Sequence, residues 1–91
     1  MQGYDPVKVN KKAALLYSKA IEKAESGAYL EAIGLMDQAL KLDKKFVDAH
    51  LSKAGLYGEL KNYPLTIENY EKAFSLDPVY SRDYKLPYAI N

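Results

Sequence analysis

Ninety-one residues amount to one small domain, and 48% apolar with 27% charged side chains is ordinary material for a folded core. Thirteen basic against twelve acidic residues leave a formal charge of +1, without the basic excess of a duplex-binding domain. No cysteine is present, so there is no disulfide framework, thiolate metal site or cysteine nucleophile, and no run approaches the ~20 apolar residues of a membrane span.

In chain order, residues 1–10 read as an N-terminal arm. Met1-Gln2-Gly3-Tyr4-Asp5-Pro6 lacks the apolar run of a signal peptide. Lys8, Lys11 and Lys12 form a small basic cluster, read as a solvated arm rather than a binding patch. The first predicted helix covers about Lys11–Glu25, with Leu16, Ala20 and Ala24 inward. Ser26-Gly27 closes it, because glycine takes the left-handed conformation after a helix without a Cβ clash. Ala32, Ile33, Met36, Ala39 and Leu40 then recur at i, i+1, i+4, i+7 and i+8, one apolar stripe on a second helix.

A third helix is predicted over about Phe46–Leu60, with Ala54, Tyr57 and Gly58 on its inner face. Asn62 can cap a fourth, whose first turn tolerates Pro64 because that N–H has no helical partner anyway. Thr66, Ile67, Tyr70, Ala73 and Phe74 repeat the earlier stripe, and Asp77-Pro78 ends it. A shorter fifth segment is expected over about Tyr80–Ile90, where Pro87 would kink or shorten the helix. Sustained alternation and Asn-Gly or Asp-Gly turns are lacking, so no strand is expected.

The sequence also matches itself at an offset of 34 residues. Ser18-Lys19-Ala20 meets Ser52-Lys53-Ala54, Glu25 meets Glu59, and Tyr29 meets Tyr63. Ile33 meets Ile67, Ala39 meets Ala73, and Leu42-Asp43 meets Leu76-Asp77. Fixed-period self-similarity of a helix pair signals a stacked repeat. The chain divides into the arm 1–10, a first repeat 11–44, a second 45–78, and a C-terminal capping or truncated third-repeat helix 79–91.

A 34-residue helix–turn–helix with small residues at the helix contacts resembles the tetratricopeptide repeat. The second unit places Ala54, Tyr57, Tyr63, Thr66, Tyr70, Ala73 and Pro78 where that family favours small, aromatic or proline residues. The first places Ala20, Lys23, Tyr29, Ala32, Met36, Ala39 and Lys44 there. Lys23, Thr66 and Lys44 depart from the pattern, as do Leu16 and His50 where tryptophan is usual. Coverage runs over about Ala13–Pro78. The resemblance implies an all-α fold, a right-handed α-solenoid of two antiparallel helical hairpins with a short C-terminal helix. A three-helix microtubule-interacting-and-trafficking bundle ranks below it, since that fold needs no second hairpin at this offset.

The resemblance also implies a concave groove lined by the first helix of each unit. Carried onto this chain, its positions are Ala14, Tyr17, Ile21, Ala24 and Glu25, then Asp48, Leu51, Gly55, Gly58 and Glu59. Gly55 and Gly58, each costing roughly 1 kcal/mol against alanine inside a helix, fit either a close approach by another backbone or tight packing in the stack. The subgroup that clamps acidic chaperone tails needs lysine and asparagines where this chain has Tyr17, Ile21 and Ser52. That partner class is not expected.

Enzymatic chemistry is not expected either. His50 is the only histidine and sits at a packing position, so no nitrogen or sulfur metal set and no serine–histidine pair takes shape. Gly55-Leu56-Tyr57-Gly58 lacks the lysine and preceding strand of a phosphate loop. No cofactor is implied.

The expected function is therefore binding of a partner peptide or helix in the groove, without nucleic acid or membrane insertion. The alternative is a structural spacer of a larger multi-repeat protein, its groove covered by its own chain or by self-association. The simplest reading of the tail is a piece of a longer protein, a shortened natural cap being the other. It leaves an apolar face around Tyr70, Phe74, Tyr84 and Tyr88. A folded-back tail, end-to-end pairing or tail exchange would cover that face, and a homodimer through the C-terminal end is the favoured one. Cytoplasm and periplasm both suit a cysteine-free chain.

Overall fold

In the computed structural model, which describes residues 3–83, the chain is all-helical, with no strand among the described residues. A 3-10 turn, Pro6–Lys8, precedes α1 (Lys11–Glu25), α2 (Tyr29–Leu42), α3 (Val47–Glu59), α4 (Tyr63–Leu76) and α5 (Pro78–Asp83). None of these helices is long and apolar enough to cross a membrane.

Local chemistry fixes the helix ends. The Asn10 side-chain oxygen accepts the Ala13 N–H at 3.0 Å, and Asn62 accepts that of Leu65 at 3.3 Å. Each satisfies a donor that the first helical turn leaves without a partner. At the end of α1, Gly27 adopts φ 88°. Its N–H donates to the Ala24 carbonyl at 3.0 Å, and that of Ala28 to the Lys23 carbonyl at 2.9 Å. The same two-bond closure ends α3, where the N–H groups of Lys61 and Asn62 reach the carbonyls of Gly58 and Tyr57 at 2.9 and 2.8 Å. There the left-handed residue is Lys61, φ 62°, which offers no glycine signal in the sequence.

Most packing joins α1 to α2 and α3 to α4, with lesser contacts between α2 and α3 and between α4 and α5. Ala20, Ala32, Ala54 and Ala73 are fully buried, so helices meet where no bulk extends beyond Cβ. Met36, Leu51 and Leu56 fill the larger spaces, each worth roughly 1.5–3 kcal/mol of burial. Lys53 ties α3 to α2 through the Asp37 carboxylate at 2.6 Å.

Three expectations change. Ile67, read as part of the apolar stripe of the fourth helix, stands exposed together with Tyr63, because α5 covers α4 only as far as Tyr70, whose hydroxyl donates to the Ser81 carbonyl at 3.3 Å. The arm is not simply solvated. Val9 is buried against α1 and α3, and Tyr4 packs between the clusters built on Ala49 and on Leu51. The fifth helix begins at Pro78 rather than Tyr80, and Tyr84, Pro87, Tyr88 and Ile90 lie outside the described residues.

Candidate functional site

Tyr17 of α1 reaches α3 at a partly buried seam between the two helices. The hydroxyls of Tyr17 and Ser52 share a hydrogen bond at 2.6 Å, and the Tyr17 ring lies 5.1 Å from that of Phe46, tilted by 46°. Of the groove positions carried from the family, Tyr17, Ile21, Ala14 and Glu59 are half-buried and Glu25 is exposed. Ala24 belongs to the core with Ala32, Ile33, Met36 and Leu56. Leu51 is wholly buried beside Val47 and Ala73, and Gly55 and Gly58 are buried within α3. These four lend shape to the surface but no side chain a partner could grip.

Asp48 occupies a different setting from an open groove. It lies in the first turn of α3, where the helix dipole favours a carboxylate, and is only 8% exposed. Its Oδ2 accepts the Tyr4 hydroxyl at 2.8 Å and its Oδ1 the Tyr80 hydroxyl at 2.7 Å. The two phenol rings meet edge to face, centroids 4.9 Å apart at 73°. A buried carboxylate is costly unless its lone pairs are filled, and here two phenols fill them. Burial, and next the hydrogen bond to Asp48, push the Tyr4 phenol well above the ordinary tyrosine range.

Asp77 completes the setting by accepting the Tyr4 backbone N–H at 2.7 Å on Oδ2 and that of Tyr80 at 3.0 Å on Oδ1. Those amides, Tyr80 first, hold its carboxyl below its ordinary value of 3.8. Asp43 serves the arm similarly, accepting the Asn10 N–H at 3.1 Å.

Packing biases His50 toward its neutral form. Desolvation first, then the Lys53 and Lys72 ammonium groups, lower its pKa from 6.5, against smaller effects of the Lys44 backbone and the Asn69 side chain. Its Nδ1 is buried without a hydrogen-bond partner among the described residues.

Sequence reasoning missed Tyr4 and Tyr80. For Tyr4 there was no signal, since its partners lie 44 and 73 residues away. Asp43 and Asp77 did have one, as matching members of the 34-residue offset. No protein-family model, curated protein or solved structure matches the chain.

Proposed function

We propose that the chain is a protein-interaction module of the tetratricopeptide kind, a right-handed solenoid of two antiparallel hairpins whose α1/α3 face takes a partner peptide, without catalysis. The observation that carries this reading is the joined surface of α1 and α3. Tyr17, bonded to the buried Ser52 of α3, lies on it with Ile21 one helical turn along, so a half-exposed aromatic and aliphatic strip stands on α1 and is anchored to α3. Aromatic anchors on rigid supports dominate recognition energetics. The solenoid part is supported by helix ends that recur at the 34-residue offset: Glu25 with Glu59, Tyr29 with Tyr63, and Leu42 with Leu76.

Selection of a random displayed-peptide library on the full chain tests it. Enriched peptides should perturb the amide resonances of Tyr17, Ile21, Ser52 and Glu59, and lose binding with Ile21→Glu. Perturbations confined to other surfaces would overturn the assignment.

A spacer or assembly reading is favoured by one other observation. Tyr63, Ile67 and Phe74 leave an exposed stripe on α4 whose counterpart on α2 is covered by α3. Light scattering tests that reading. A dimer at high concentration that Ile67→Glu dissolves would support assembly through this face, and a monomer throughout would remove it.

A further inference from the structure

The arm that precedes α1 is fastened at two points and exposed between them. At one end Tyr4 is held at both extremities, its amide by Asp77 and its phenol by Asp48. At the other, Val9 is buried and the Asn10 N–H reaches Asp43. Between them Asp5, Pro6, Val7 and Lys8 are exposed, Val7 at 90%. The arm spans an open cleft of about 440 Å³ that Asp43, Lys45, Ser75 and Leu76 help to line. A segment extended at Asp5 and at Val9, with the Pro6–Lys8 turn between them, therefore already lies on the molecule as a bound peptide would. Its grip is backbone amides on carboxylates and one inserted ring.

We propose that residues 3–10 are an internal ligand of this surface, standing in for an external peptide that carries a tyrosine preceded by a small residue. This inference rests on the reading of the protein as a peptide-binding module and specifies what one of its seats accepts. The phenol requirement follows from Asp48, which is buried and would keep only the Tyr80 hydroxyl if phenylalanine entered. The ring requirement follows from Tyr80, which meets the inserted ring edge-on, and from Val47 and Leu51 in the cluster beneath. The small preceding residue follows from Gly3, where an added Cβ would stand 3.2 Å from the Asp77 Oδ2. A branched side chain there presses on the oxygen that binds the tyrosine amide. Because the arm is tethered, it competes at an effective concentration on the order of millimolar. An outside peptide then meets an occupied seat until the arm lifts.

The test uses the full chain and a synthetic peptide copying residues 3–10 with a C-terminal fluorescent label, read by anisotropy. Tyr4→Ser in the protein empties the seat while leaving Val9 and Asn10 in place. It should bind the peptide at least about tenfold more tightly than the wild-type chain, whose own arm competes. Peptides carrying Tyr4→Phe or Gly3→Val should each lose about tenfold on the emptied protein, as expected when a buried acceptor loses its donor or a contact is overfilled. Equal binding by both proteins, or no binding to a natively helical Tyr4→Ser chain at millimolar peptide, overturns the proposal. Should Tyr4→Ser unfold, the same peptide is added at millimolar concentration to the wild-type chain, where it should shift the Tyr4 amide resonance as the arm is displaced, and an unmoved resonance overturns the proposal. Failure here leaves library-selected peptides on Tyr17 and Ile21 untouched, whereas failure of the module reading removes those peptides as well.

Discussion

Asp43 and Asp77, one repeat offset apart in the chain, divide their carboxylate oxygens in the same way. In each, Oδ1 accepts a backbone N–H just ahead in the chain, from Lys45 at 3.1 Å and from Tyr80 at 3.0 Å. In each, Oδ2 accepts an N–H from the arm, from Asn10 at 3.1 Å and from Tyr4 at 2.7 Å. The arm thus runs from one loop to its counterpart, from Tyr4 through the Pro6–Lys8 turn to Asn10. A side chain that shapes its own turn has been given a second task at each end of the arm.

The hold of Asp77 on Tyr4 should be visible as a titration. A carboxyl whose folded pKa is depressed contributes stability that is present above its ordinary value of 3.8 and lost as pH falls through its lower folded pKa. The Tyr4 amide resonance should therefore move with a midpoint below 3.8, and Asp77→Asn should abolish that movement. A midpoint at or above 3.8 would show that the amide does not bind the ionised carboxyl.

At the other end of Tyr4, replacing the phenol by Phe should cost about 1–2 kcal/mol in urea unfolding at neutral pH, since the buried Asp48 loses one donor. Alkali gives the sign check. The phenol's folded pKa is raised, so its contribution is complete below its ordinary value of 10.0 and declines as pH climbs above it toward the folded pKa. The gap between wild type and Tyr4→Phe should narrow above pH 10. A gap that stays constant to higher pH would mean that the hydroxyl is not held by Asp48.

These two relationships also mark where sequence reading ran out. The first four helices, the Asn62 cap, the Gly27 turn and the alanine contacts follow from signals within a few residues of one another, and each stands in the structure much as read. Tyr4 has no such neighbour. Its partners Asp48 and Asp77 become close only once α3, α4 and α5 are packed, so periodicity could not find them. Burial of Leu51 escaped for the same reason, because the arm and α5 bring Tyr4 and Tyr80 onto its cluster from opposite ends of the chain.

Gly27 and Lys61 occupy the same left-handed position after α1 and α3, and only one of them suits it. A side chain with φ near +60° costs roughly 1 kcal/mol against glycine. Lys61→Gly should accordingly stabilise the chain by about 0.5–1 kcal/mol, and Gly27→Ala should destabilise it by a similar amount. Nothing lies within 4 Å of a Cβ built on Gly27, so the loss there would come from the backbone alone. Urea midpoints that leave both variants level with the parent would contradict the assigned turn geometry.

Ile33 and Ile67 are equivalent by sequence and opposite by environment, and this contrast gives the sharpest check on the packing. Ile33 is 5% exposed, set in the cluster of Ala24, Ala32, Met36 and Leu56 that joins α1, α2 and α3. Ile67 is 58% exposed on the stripe it shares with Tyr63 and Phe74. Truncating a buried isoleucine removes its transfer energy and leaves a cavity, about 2–4 kcal/mol, whereas an exposed one loses little, about 0.5 kcal/mol or less. Ile33→Ala should therefore lower the urea midpoint markedly and Ile67→Ala hardly at all at micromolar concentration. If Ile67→Ala is instead as damaging as Ile33→Ala, that face is covered in solution. Repeating the measurement across a hundredfold range of protein concentration then identifies the cover, since a second copy makes the loss depend on concentration and the chain's own residues do not.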